Sequence, residues 1–217
     1  MTALMLGMSN PQPGREQDYA DWYVSRHLPD VLRVPGVTGG EFYGRVNAAS
    51  KTPWAHCGIY ELDRPVGEVL AGIGSRVGTD EMPMTDSIDR SSTLFLSATA
   101  ISPRIEAAKP SGPVFLTLVL ANAVAGQDEA YNAYYSERHV SDVLAVPGML
   151  AAQRFEIAPE TGGKPSPWRY MAFFELEADR LSEVQAEIAA RSGGPKMPDS
   201  PSIDRATQYV ELFRRLS

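Results

Sequence analysis

The apolar positions of this chain fall into two successive series of the same form. A short apolar run at residues 4–8 reads as a strand inside a sheet, and Asn10, Pro11, Pro13 and Gly14 supply the turn chemistry that ends it. From Arg15 the period changes. Tyr19, Tyr23 and His27 recur every fourth residue and so share one helical face, and Leu28, Val31 and Leu32 carry the apolar stripe onward until Pro35-Gly36 stops it. Residues 37–46 and 54–62 read as two strands, joined over 47–53 by a connection with turn formers at both ends. Helical spacing returns over 66–77, weakened by Gly67, Gly72 and Gly74, and 93–101 makes a last strand. The second series copies this order over 114–120, 128–146, 149–157, 168–177, 180–191 and 207–213. Between them, residues 102–113 hold Pro103, Pro110, Gly112 and Pro113, so the expected domains are 1–102 and 113–217.

The echo extends from pattern to residues. Positions 18–36 return at 130–148 with ten of nineteen identical at a constant offset of 112. Trp54 is answered by Trp168, and Ser87-Ile88-Asp89-Arg90 by Ser202-Ile203-Asp204-Arg205. A solenoid repeats about every 20–50 residues, so one repeat at this distance implies duplication of a whole domain. Each half then reads strand, helix, strand, strand, helix, strand, the α+β order of a ferredoxin-like βαββαβ domain with both helices on one face of an antiparallel sheet. The segment Asp21-Trp22-Tyr23-Val24-Ser25-Arg26-His27-Leu28-Pro29-Asp30-Val31-Leu32-Arg33-Val34-Pro35-Gly36 resembles the helix of EthD-like proteins in the dimeric α/β-barrel superfamily. Both halves carry it, and the resemblance implies two tandem domains packed sheet to sheet as an intramolecular dimeric α/β barrel. That superfamily includes cyclases, isomerases, decarboxylases, monooxygenases and proteins of no known activity, so the fold alone names no reaction.

Composition narrows the partners. No apolar run approaches the roughly 20 residues of a membrane span. The net charge of −7 is spread over both halves without a Lys/Arg cluster, which argues against nucleic acid. The first residues lack the basic region and long apolar core of a signal peptide, so the expected location is cytoplasmic. Cys57 is a single cysteine in an apolar strand and reads as a small buried side chain. Further homo-oligomerisation is left open.

Two of the three histidines, His27 and His139, occupy equivalent places in the echo. Histidine titrates near neutrality and can pass a proton in lactone, enol or keto-acid chemistry. Tyr23 and Tyr135 precede them by one turn, within reach of an oxyanion. The competing reading is packing, because a duplicated domain keeps a structural histidine in both copies. Tyr19, Tyr131 and Trp22 read as core or pocket wall. Arg26 and Arg138 pair at four residues with Asp30 and Asp142, and either arginine suits a substrate carboxylate. His56, with Tyr170 in its place in the second half, is expected to project into the first pocket beside His27. Pro29 is expected to break or kink the first helix at His27-Leu28, where the second copy has Ser141. The Ser-Ile-Asp-Arg echo precedes each final strand and reads as an edge-blunting or turn-fixing device, the alternative being that its charged pair closes over the pocket mouth. Three histidines and one cysteine without zinc-ligand spacing give no metal site, and no nucleotide motif is present. Haem-binding superfamily members offer an analogy, but the expectation is no cofactor. The function expected is a cofactor-free lyase, isomerase, cyclase or decarboxylase acting on a lactone, aromatic acid or polyketide-like ring. The alternative is a non-catalytic ligand-binding or structural protein.

Overall fold

The computed structural model describes residues 3–50 and 52–217. Met1, Thr2 and Lys51, the last within the expected 47–53 connection, lie outside the described residues. The first series forms β1 (Ala3–Pro11), α1 (Glu16–Trp22), one π turn (Tyr23–His27), α2 (Leu28–Leu32), β2 (Val37–Arg45), β3 (His56–Leu62), α3 (Val66–Gly74) and β4 (Ile88–Ala100). After the two-residue β5 (Ile105–Glu106) come β6 (Val114–Ala123), α4 (Asp128–Tyr134), a second π turn (Tyr135–His139), α5 (Val140–Leu144) and β7 (Met149–Ile157). A small hairpin, β8 (Glu160–Thr161) and β9 (Lys164–Pro165), precedes β10 (Tyr170–Glu177), α6 (Leu181–Arg191) and β11 (Ile203–Arg215).

The chain divides into two compact units. One runs to Thr99 and takes in Ile157–Ser166 and Phe213–Ser217; the other holds Ala100–Glu156 and Pro167–Leu212. In the first the strand order is β2-β3-β1-β4, each neighbouring pair antiparallel. In the second the order is β7-β10-β6-β11, with β10 antiparallel to both β7 and β6. Helix residues Tyr19, Tyr23, Leu28 and Val31 bury against Met5, Phe42, Tyr60 and Leu62 of the first sheet. Their counterparts Tyr131, Tyr135, Val140 and Val143 bury against Val119, Tyr170, Ala172 and Phe174. Each such large apolar side chain contributes about 1.5–3 kcal/mol when fully buried.

Both last strands begin earlier than the apolar pattern indicates. A bulge between Met8 and Asn10 lets β1 continue its pairing as far as Asp89 and Ile88. Ser-Ile-Asp-Arg therefore opens the strand rather than preceding it. The β8–β9 hairpin turns through Gly162 and Gly163, at φ 59 and 78, and lacks the hydrophobic alternation that would reveal it in sequence. Among the described residues no helix is long and apolar enough to cross a membrane.

The first helical stretch does not break at Pro29. Leu28 keeps right-handed helical angles, and its N–H bonds the carbonyl of Tyr23, five residues back. Val140 makes the same bond to Tyr135, although Ser141 stands where the first copy has proline, so proline is not the cause. A π turn brings residues five apart into register. Trp22 thereby lies under His27 and Tyr134 under His139, with ring centroids 4.7 and 5.3 Å apart. Tyr19, Tyr23 and His27 still neighbour one another, at 5.8 and 4.8 Å between successive rings, but along a helix that passes through a π turn rather than a regular α-helix.

Candidate active site

A cavity of about 470 Å³ opens in the first unit, bounded by β1, β4, α3 and the π turn. Met5, Met8, Val31, Leu70, Ile73 and Phe95 give it apolar walls, and Ser9, Tyr23, His27, Tyr60, Arg90 and Thr93 add polar atoms. The π turn delivers Trp22, Tyr23 and His27 to this space together.

His27 is mostly buried, stacked on Trp22 and edge-on to Tyr23 at 4.8 Å. Burial disfavours its charged form and lowers its pKa to about 4, partly opposed by Asp30. The ring is neutral near pH 7, and its Nδ1 is buried without a hydrogen-bond partner. Tyr23 and Tyr60 join hydroxyls at 2.9 Å. Burial, then the neighbouring Tyr60 and Tyr19, push the Tyr23 phenol well up, so it remains a neutral donor. Gly58 makes room for this pair, because a Cβ there would overlap the Tyr23 hydroxyl.

The remaining sequence candidates are distributed differently. Tyr19 is fully buried, shares a 2.6 Å hydrogen bond with Ser9 Oγ and is not among the residues lining the cavity. The sequence expectation that His56 projects into the cavity beside His27 is corrected: it does not line the cavity and stacks on Phe42 at 5.4 Å, 5.1 Å from Tyr19. Burial, with Arg45 and Arg214 nearby, lowers its pKa to about 4. Arg26 is exposed, 3.5 Å from Asp30, and donates to the Asp80 carbonyl. Arg138 likewise bonds Asp142 at 2.8 Å and the Pro195 carbonyl. Both arginines brace the helix against a following loop.

In the second unit the same frame carries different chemistry. Tyr134 replaces Trp22, and its hydroxyl donates to the Pro198 carbonyl at 2.7 Å. That spends its one proton, so the 3.1 Å contact with His139 Nδ1 has the imidazole as donor and fixes its tautomer. Burial also lowers His139 to about 4. Tyr131 stacks on Tyr170 at 4.6 Å and lies 4.7 Å from Tyr135. Arg154, which the sequence reading missed, takes the place of Phe42 and is 2% exposed. It donates to Asn132 Oδ1 at 2.7 Å and Ser136 Oγ at 2.5 Å, with its guanidinium 5.0 Å from the Tyr135 ring. The change from Phe42 to Arg154 at the matched offset was the available signal. Tyr60 was missed too, since its counterpart Phe174 has no hydroxyl. Cys57 is fully buried, and burial pushes its thiol up. Among the described residues no group of three His, Cys, Asp or Glu side chains is arranged to hold a metal ion.

No protein-family model matches the chain, and no curated protein matches it significantly. Solved structures do. A candidate monooxygenase from Fusobacterium nucleatum is similar over 100% of this chain and 93% of its own, with TM-score 0.64 and 10% identity. An anthrone oxidase-like protein is similar over 100% and 91%, with TM-score 0.63 and 12% identity. A chlorite dismutase mutant from Candidatus Nitrospira defluvii is similar over 98% and 90%, with TM-score 0.60 and 12% identity. The mixed α+β fold of this chain is similar to theirs. At such identities the likeness concerns the fold alone.

Proposed function

We infer that the first unit is a small-molecule site in which His27 serves as acid/base and Tyr23, hydrogen-bonded to Tyr60, orients an oxygen of the substrate. The observation that carries this reading is a neutral histidine that lines a largely apolar cavity of about 470 Å³ and whose buried Nδ1 has no hydrogen-bond partner. Leaving a buried polar atom unmet costs about 1–3 kcal/mol, and such exceptions call for a reason. With no protein group bonded to Nδ1, the tautomer of the ring is not fixed in the way that Tyr134 fixes that of His139. The chemistry proposed is cofactor-free isomerisation, cyclisation, elimination or decarboxylation of a lactone, aromatic acid or polyketide-like ring. His139 and Tyr135 form a corresponding pair in the second unit, with the tautomer of His139 fixed. Trp22 contributes cavity wall, while Tyr19, Tyr131, His56, Arg26 and Arg138 support the frame.

The finer architecture belongs to the same proposal. Two EthD-like, ferredoxin-like domains, at 1–102 and 113–217, arose by tandem duplication and pair as an intramolecular barrel in a cytoplasmic protein that is free to self-associate. The identical strand orders and the paired π turns support it. A second reading, ligand binding without turnover, is favoured by the lowered pKa of His27, which makes it a weak base near pH 7.

A thermal-shift screen of aromatic acids and lactones, followed by turnover assays, separates these. The enzyme reading predicts that His27→Ala keeps Tm within a few degrees and abolishes turnover of a stabilising ligand. Binding that survives without turnover in wild type favours the second reading. A large fall in Tm without any ligand hit assigns His27 to packing.

A further inference from the structure

Resting on the reading of the first-unit cavity as a small-molecule site, we propose that its ligand carries a carboxylate and that Arg90, at the cavity wall on β4, is the residue that recognises it. The echo between the halves isolates this side chain. Arg205 stands at the matching position in the second unit, where Asp199 holds it in an ion pair at 2.5 Å. The residue matching Asp199 in the first unit is Met84, which lines the cavity and offers no charge. The nearby acids are engaged elsewhere: Asp89 accepts from the Ser91 backbone and hydroxyl, and Asp86 pairs with Arg15. Among the described residues Arg90 makes no ion pair, and it is the single charged side chain on the cavity wall apart from the titratable His27.

An exposed arginine alone would be unremarkable. Here the missing counter-charge coincides with a second local change, Trp22 in place of Tyr134, that removes the partner of the adjacent histidine. Both differences strip an internal partner from a side chain that lines one cavity. A guanidinium fork suits a carboxylate by two parallel hydrogen bonds. The methionines, Ile73 and Phe95 suit an apolar ring or chain behind it, and the Tyr23–Tyr60 hydroxyls and His27 suit an oxygen on that body. An anion in the same cavity also favours the imidazolium form of His27 that burial disfavours.

The test is isothermal titration of the full chain with a hydroxynaphthoate and with its neutral carboxamide. Wild type is expected to bind the acid at least about tenfold more tightly than the amide, a difference of about 1.4 kcal/mol. Arg90→Gln is expected to bring the two within about twofold while leaving amide affinity unchanged, and Arg90→Lys to retain part of the preference for the acid. Equal binding by wild type, or a preference for the acid that survives Arg90→Gln, overturns the assignment of Arg90 and leaves the cavity reading standing. If neither compound binds wild type, the cavity reading falls and the carboxylate assignment with it.

Discussion

Three histidines, His27, His56 and His139, are held near pKa 4, in each case chiefly because burial opposes charge. An unfolded chain protonates them near 6.5, whereas the native protein resists until about 4. Between those values the unfolded state binds more protons. Stability is therefore full above about pH 6.5, falls as the pH drops through that window, and loses nothing more from these groups below it. For a site as buried as His27 the complete loss is about 3 kcal/mol. Urea denaturation at pH 7 and about pH 4.5 checks this: His27→Gln is expected to lose less stability on acidification than wild type. An unchanged acid slope would mean that His27 is not desolvated as described. At this scale the sequence revealed identity but not environment. The matched positions of His27 and His139 were legible, while the partner that distinguishes them sits five residues away, a spacing that an α-helical reading does not bring into contact.

At the scale of elements, apolar periodicity located the principal strands and helices, because a period of two and a period near four are written directly into buried faces. It failed where geometry depends on hydrogen bonding. The π turns leave no mark in hydropathy, and the extension of β4 to Ile88 depends on a bulge in its neighbour. Pro29 was misleading, since it directly follows the π turn and the right-handed helical backbone runs on through it into α2. The packing of the π turn on β3 gives a sharp prediction. Gly58→Ala drives a methyl into the Tyr23 hydroxyl and must displace the ring from Tyr60. A loss of about 1–3 kcal/mol is expected, with weakened ligand binding, measurable by denaturation and calorimetry. Wild-type stability and binding in this variant would contradict the tight fit of Tyr23 over β3.

At the scale of the whole chain, the two halves keep one frame and diverge in what fills it. The second half satisfies its polar groups internally: Tyr134 for His139, Asp199 for Arg205, and Asn132 and Ser136 for Arg154. The first half has Trp22 and Met84 in place of Tyr134 and Asp199, and Phe42 in place of Arg154, and leaves His27 Nδ1 and Arg90 without such partners. The echo in sequence made the frame visible, but the division of labour emerges only when the matched positions are compared with their contacts. With three histidines in the chain, selective isotope labelling of histidine makes each imidazole separately observable by NMR. The most direct measurement is therefore to follow those ring nitrogens while a hydroxynaphthoate is titrated in. The His27 nitrogens are expected to shift with saturation while those of His139 and His56 stay in place; a shift confined to His139, or binding that leaves His27 unmoved, would overturn the assignment of the ligand site to the first unit.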